Sequence, residues 1–229
     1  MHDIAINEKI MAKNSAFAEE NRSLLAKQGI WAINLISSPG SGKTSIIEKT
    51  IESMGGEKKI AVIEGDIQAD LDLKRLSRFN IPVRQINTGR SCHLDAHMVH
   101  HTLAWLLEQG NIDILIIENV GNMVCPAEYD LGENMKVSVM SVTEGDDKPL
   151  KYPAMFHASD CLLINKTDLV SYTNFDMERA RQNARSINPD LNIIETSCTS
   201  GDGIDQWLEV LRSGSAHNPT TGAADAADR

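Results

Sequence analysis

Eight consecutive residues, Ser37-Ser38-Pro39-Gly40-Ser41-Gly42-Lys43-Thr44, bring together two glycines, a lysine and several hydroxyls. That mixture suits a polyphosphate. Gly40 and Gly42 let the backbone curl so that successive N–H groups converge on phosphate oxygens. Lys43 adds positive charge at the β/γ-phosphates, the Thr44 hydroxyl is placed to bind Mg²⁺, and Ser41 and Ser45 complete the nucleotide-binding set. Ser37 stands where the usual motif has its first glycine. A glycine turn that binds nothing is the alternative. The flanks oppose it, because an apolar run (31–36) precedes the segment and a helical pattern follows.

Further along, Asn165-Lys166-Thr167-Asp168 follows the run Cys161-Leu162-Leu163-Ile164. The Asp168 carboxylate can accept from the guanine N1–H and from its exocyclic amine, whereas adenine has no such donor pair. Leaving a buried carboxylate unpaired costs several kcal/mol, roughly, so GTP and GDP are the expected ligands. Asn165 would brace the loop, and the Lys166 stem would cover the ring. Ser197-Cys198-Thr199-Ser200-Gly201 is a weaker candidate, for a backbone N–H on guanine O6. Asp66 and Asp70 follow another apolar run, and Glu118 closes a third with Gly121 three residues later. These acids suit Mg²⁺, an attacking water and a sensor for the γ-phosphate. The plainer readings are helix capping for Asp66 and Asp70 and a solvated strand end for Glu118. Lys43, Asp66 and Glu118 are the catalytic candidates.

Thiolate and imidazole are good ligands for Zn²⁺ and Ni²⁺. Cys92-His93 comes after a Gly-Arg-Ser turn, and Cys125 follows Gly121 by four residues. Each group sits just beyond a segment expected to sense nucleotide, and three ligands leave a fourth position open. No CxxC or HxxxH spacing among these three residues supports the site, so two buried cysteines with an exposed histidine stay open as a reading. His97, His100 and His101 read as surface residues or an auxiliary ligand.

These residues need a scaffold. Apolar runs recur at 31–36, 59–64, 83–87, 112–118, 136–142, 160–164 and 192–196, with helical stretches near 43–53, 70–78, 94–109, 176–187 and 203–212. Such alternation predicts an α/β fold of three layers, with a mostly parallel central sheet of the P-loop NTPase kind. Ligands then bind beyond the carboxyl ends of the strands, where every motif above falls. Residues 1–29 read as an amphipathic helical extension with Ile6, Ile10, Met11, Phe17, Leu24 and Leu25 as its apolar positions. Residues 30–212 read as the globular domain, and 213–229 as a disordered tail. The formal net charge of −10 over 229 residues disfavours nucleic acid and anionic membrane as partners. No apolar run is long enough to span a bilayer, and the start is unlike a signal peptide. A cytoplasmic protein with four reduced cysteines is expected.

Three segments go beyond a generic GTPase: Ser91-Cys92-His93-Leu94-Asp95-Ala96, Glu118-Asn119-Val120-Gly121-Asn122 through Cys125-Pro126-Ala127, and Ser141-Val142-Thr143-Glu144-Gly145 through Tyr152-Pro153. Together they resemble the hydrogenase-maturation nickel-insertion GTPases, the HypB family, over roughly 30–212. The resemblance implies a dimerising P-loop GTPase that binds nickel or zinc and helps deliver nickel to the large subunit of [NiFe]-hydrogenase. A small HypA-like nickel-binding protein is an implied partner, and the homodimer would be favoured by GTP or metal. It also implies Cys92, His93 and Cys125 as the metal ligands, with Asp66 orienting water and Asp70 near Mg²⁺.

The sequence departs from the family in two ways. No cysteine precedes Cys92 and only His2 stands near the start, so nickel storage and a separate tight nickel site are not expected. The lysine of related phosphate loops falls at Ser38, which leaves Lys148 as a candidate for an activating contact from a neighbouring subunit. Rivals are the urease accessory GTPase, whose metal motif is Cys-Pro-His, and a GTP-dependent regulatory switch with structural cysteines. A kinase is disfavoured by the 165–168 loop.

Overall fold

Each of the apolar runs forms a strand; the inner ones do so because a largely apolar series of Ile, Leu, Val and Ala can be buried on both faces only inside a helix-covered parallel sheet, while the two edge strands are only partly buried. In the computed structural model these are β1 (Trp31–Ser37), β2 (Ile60–Asp66), β3 (Val83–Asn87), β4 (Ile114–Glu118), β5 (Met135–Ser141), β6 (Cys161–Asn165) and β7 (Asn192–Glu195). The structure describes residues 2–66, 71–89 and 91–216, without the side chains of 2–7 and 71–72. Strand order is β3-β2-β4-β1-β5-β6-β7. All six pairings are parallel, where a mostly parallel sheet was expected. The short β3 and β7 form the edges, which keeps unpaired ladder groups few.

Alternate residues of the strands feed opposite faces. Ile33, Leu35, Val62, Ile116 and Val137 point to one side. There they meet α2 (Lys43–Met54), α3 (Leu71–Ser77) and α9 (Ile204–Ala216). Ala32, Ile63, Leu115 and Ile117 point to the other, against α1 (His2–Lys27) and α4 (Ala96–Leu107). The β5–β6 half of that side is covered by α7 (Pro153–His157) and α8 (Met177–Ile187) through Met155, Phe156, Ala180 and Ala184. Two four-residue helices, α5 (Cys125–Glu128) and α6 (Lys148–Lys151), sit in loops at the carboxyl edge. Among the described residues no helix is long and apolar enough to cross a membrane.

Two elements differ from expectation. Helix α1 forms, but its buried stripe is Asn14, Ala18, Asn21 and Leu25, and the supposedly apolar Ile10 is 47% exposed. The asparagines act as polar pins. Asn21 Nδ2 donates to Ala96 O (2.8 Å) and Leu131 O (2.9 Å), and Asn14 Oδ1 accepts from Ala96 N at 2.8 Å. Asn21→Ala should therefore lower stability by about 1–3 kcal/mol, the penalty for orphaning buried carbonyls. A urea melt checks this, and an unchanged midpoint would show that water replaces the amide without penalty. The second difference is at the other end. Residues 213–216, expected in the tail, continue α9. A Cβ at Gly214 would collide with the Trp31 indole, so the glycine that looked like a disorder signal is what lets the helix close on that ring. Residues 217–229 of the expected tail lie outside the described residues.

Candidate nucleotide site and metal centre

The phosphate loop joins the buried central strand β1 to α2. Gly42 precedes α2 with φ 103°, a backbone state that an L side chain resists. A Cβ there would also run into Asn165 Nδ2. Lys43 Nζ donates to Ser37 Oγ (2.9 Å), and that hydroxyl donates to Ser38 O (2.6 Å). The serine in the glycine position thus parks the lysine above the loop. Thr44 Oγ1 donates to Glu118 Oε1 at 2.9 Å, both residues being buried. Gly40, Gly42, Lys43, Thr44, Ser45, Asp66, Glu118, Gly121 and Lys166 all line one cleft of about 480 Å³. Asp66 ends β2 and reaches this cleft, whereas Asp70, expected beside Mg²⁺, lies outside the described residues. Glu64 also lines the cleft. It is buried, stands beside Glu118 in the β2–β4 register, and was not singled out from sequence. An acid inside an otherwise apolar strand was the available signal.

The loops expected to read the base arrive on neighbouring strands. Asn165 Nδ2 donates to Ser41 O (2.9 Å), and Lys166 Nζ donates to Gly40 O (2.7 Å), which binds the 165–168 loop to the phosphate loop. Asp168 Oδ1 accepts from Ser197 Oγ at 2.5 Å, and the same hydroxyl accepts from Thr199 N and Ser200 N. Cys198 Sγ lies 3.9 Å from Asn165 Oδ1, and burial pushes its thiol up to about 11. The structure therefore brings all five base-side candidates to one place.

Sequence reasoning missed Glu144 as a brace. Its carboxylate accepts from Ser41 Oγ (2.6 Å) and from Ser38 Oγ, held there by a capping box with Ser141. Lys148 Nζ lies 3.6 Å from the same carboxylate, so the residue considered for a contact between subunits is engaged within its own chain.

Cys92 Sγ and Cys125 Sγ are 3.1 Å apart, and Cys92 Sγ is 3.9 Å from His93 Nδ1. One ligand atom from each of the three residues lies within 4.8 Å of the others. All three are half-buried, unlike a pair of core cysteines beside an exposed histidine. Thr88 shapes the turn, its hydroxyl donating to Ser91 O at 2.7 Å. Asn122 Nδ2 donates to Cys92 O at 3.4 Å, tying the two ligand loops together. The His93 ring lies on Tyr129 with centroids 3.9 Å apart. Burial pulls the His93 imidazole below its ordinary range, which favours the neutral, metal-binding form. The Cys92 hydrogen bond, then burial, push the Cys125 thiol up. His97, His100 and His101 stand on α4 outside this triad.

Three contacts join the two sites. Asn119 Oδ1 accepts from Leu94 N (3.0 Å), so the residue after Glu118 holds the residue after His93. Leu94 is fully buried against Gly65, where a Cβ would sit 2.6 Å from Leu94 Cγ. Gly121 lies on Pro39 of the phosphate loop, a Cβ there falling 3.1 Å from Pro39 Cα.

A parallel sheet with a phosphate loop after its central strand and an Asn-Lys-x-Asp loop at the same edge defines a P-loop nucleotide-binding domain. Residues 31–195 match the domain family described as "CobW/HypB/UreG, nucleotide-binding domain". The "Hydrogenase maturation factor HypB" of Azotobacter vinelandii is 53% identical over 207 residues, 90% of this chain and 67% of that protein. The crystal structure of HypB from Helicobacter pylori in complex with nickel superposes with TM-score 0.86 at 36% identity, covering 93% of this chain and 99% of that one. For HypB from Archaeoglobus fulgidus the TM-score is 0.83 at 44% identity, covering 88% and 98%. The chain belongs to the CobW/HypB/UreG family, in its HypB branch.

Proposed function

We propose that this chain is a GTP-hydrolysing metallochaperone. It would take nickel, or zinc, as cargo at Cys92, His93 and Cys125 and assist nickel insertion into [NiFe]-hydrogenase. It would act as a cytoplasmic homodimer favoured by GTP or metal, with a HypA-like protein and the hydrogenase large subunit as partners. The observation that carries this reading is the Asn119 side chain, whose Oδ1 accepts from Leu94 N at 3.0 Å and so links the cleft to the thiolate–imidazole triad. The relatives' names support the pathway, and the nickel complex of the Helicobacter protein supports the cargo.

In this mechanism the loop N–H groups and Lys43 cradle the β/γ-phosphates while Asp168 reads guanine. The acidic and hydroxyl lining of the cleft fits a hard divalent ion. Mg²⁺ held by Thr44, with Asp66, Asp70 and Glu118 behind it, would neutralise charge on the phosphate oxygens. Asp66 orients the water that attacks the γ-phosphorus in line, and the bond to the β–γ bridging oxygen breaks to give GDP and phosphate. The γ-phosphate draws on the Glu118–Gly121 segment. That segment moves Leu94 through Asn119 and Cys92 through Asn122, which changes the three-ligand geometry. Coupling of this kind is reciprocal. Nickel affinity should therefore differ by roughly 5–150-fold between the GDP state and a non-hydrolysable GTP analogue. Equal affinities in the two states would remove the switch.

A further inference from the structure

We propose that Glu144 is a positioning residue for nucleotide binding, a clip whose carboxylate closes the Ser38-Pro39-Gly40-Ser41 turn and so preorganises the phosphate loop. The inference rests on the phosphate-binding reading of this loop. The turn has proline second and glycine third, and Gly40 takes φ 79°, the signature of a type II turn. Its own closing bond is poor. Ser41 N lies 3.5 Å from Ser38 O, beyond the usual range for an amide hydrogen bond. Closure comes instead from the side chains. Ser41 Oγ donates to Glu144 Oε1 at 2.6 Å, and Ser38 Oγ donates to Glu144 Oε2. The two hydroxyl oxygens are 2.8 Å apart, and Ser41 Oγ also lies 2.9 Å from Ser38 O.

An ionised carboxylate can only accept, so both serine protons are committed to it. Phosphate oxygens must then be met by backbone N–H groups, and the clip leaves those groups available. Lys166 Nζ holds Gly40 O, and Asn165 Nδ2 holds Ser41 O. In a planar trans peptide the N–H points opposite to the C=O, so the N–H groups of Ser41 and Gly42 face away from those two side chains. The loop is thus gripped from two strands, by Glu144 just beyond β5 and by Asn165 at the end of β6. Glu144 is itself well fixed. Its side chain is only 13% exposed, Ser141 N donates to Oε1 at 3.1 Å, and Lys148 Nζ lies 3.6 Å from Oε2. That ammonium balances the carboxylate, so the clip sets no unmatched negative charge beside a loop that receives phosphates. A loop already in shape loses less freedom on binding, which helps GDP and GTP alike. Help given equally to ground state and transition state shows in KM rather than in kcat.

The experiment titrates the full chain with fluorescent GDP and a fluorescent non-hydrolysable GTP analogue, and follows steady-state GTP hydrolysis alongside. Glu144→Ala should weaken both nucleotides by roughly tenfold or more and raise KM, with kcat kept within about twofold. Glu144→Gln should restore most of the affinity, because its amide oxygen can accept from Ser41 and its amide nitrogen can donate to Ser38 Oγ. Ser38→Ala should weaken binding as well, and its loss should not add to that of Glu144→Ala, since both open the same clip. Ser141→Ala breaks the capping box from its other side and leaves the carboxylate on the loop. It should lower the melting temperature and leave both affinities unchanged. Circular dichroism checks each fold, and Ser38→Ala with Glu144→Gln carry the test if Glu144→Ala does not fold. The clip alone is overturned if the parent chain binds nucleotide and either Glu144→Ala or Ser38→Ala binds it equally well. It is also overturned if the two penalties add in full, if glutamine serves no better than alanine, or if Ser141→Ala weakens binding as much. A parent chain that binds no nucleotide overturns the phosphate-loop reading and the clip together.

Discussion

The variant Asp168→Asn is expected to lose roughly 10²–10⁴-fold in GTP affinity while keeping its fold, and to regain binding with xanthosine triphosphate. In the proposed reading the carboxylate accepts from two guanine donors, N1–H and the exocyclic amine. An asparagine offers one acceptor and one donor, so its amide meets the guanine amine donor to donor. Xanthine carries a carbonyl where guanine carries that amine, and the pairing is restored. The loop itself should survive, because the contact of Asp168 with Ser197 Oγ (2.5 Å) can be kept by an amide oxygen. Titration with fluorescent nucleotides reads the affinities, and a thermal melt checks the fold. Undiminished GTP binding would mean that the base is not read at this position.

Replacing Cys92 or Cys125 with Ala should lower nickel affinity at the triad by roughly 100-fold or more, beyond what loss of a supporting contact around a metal does. Stability should change by no more than about 1 kcal/mol, because both side chains are only half-buried. Cys161 is the internal control. It lies in the core at the start of β6, and burial pushes its thiol up to about 12. Cys161→Ala should therefore cost about 1–3 kcal/mol with metal binding intact, since a thiol so far from ionising is a poor ligand. The opposite pattern, with Cys92→Ala unfolding the chain and leaving nickel bound, would make the sulfurs structural. Competition with a colorimetric chelator measures the affinities, and a urea melt the stabilities.

Much of this could be read from the residues in order. A strand buried on both faces announces itself as an apolar run, and all the runs became strands. The phosphate and base loops are local motifs, so their spacing alone fixed where they would fall. What could not be read was long-range. Glu144 is 106 residues from Ser38, and nothing local says that a capping-box acid will also bond a phosphate-loop hydroxyl. Asn119 looked like one polar residue in a sensor segment, although it joins Asn34 to Leu94. Helix α1 and its buried Leu25 were legible, but the rest of its buried face was not, for a related reason. Apolar periodicity pointed to Ile10 and Phe17, but tertiary hydrogen bonds made Asn14 and Asn21 the buried residues.

Asn119 is buried within the sheet's carboxyl edge, its amide nitrogen donating to Asn34 and its oxygen accepting from Leu94 and Val120. In the proposed cycle it bears neither nucleotide nor ion, yet it is where the timing of release is kept. A protein with this amide loosened would still fill both of its pockets and still turn over fuel, like an engine running with the clutch disengaged. Such a defect would escape any assay of a single ligand and would show only when cargo delivery is counted per GTP consumed.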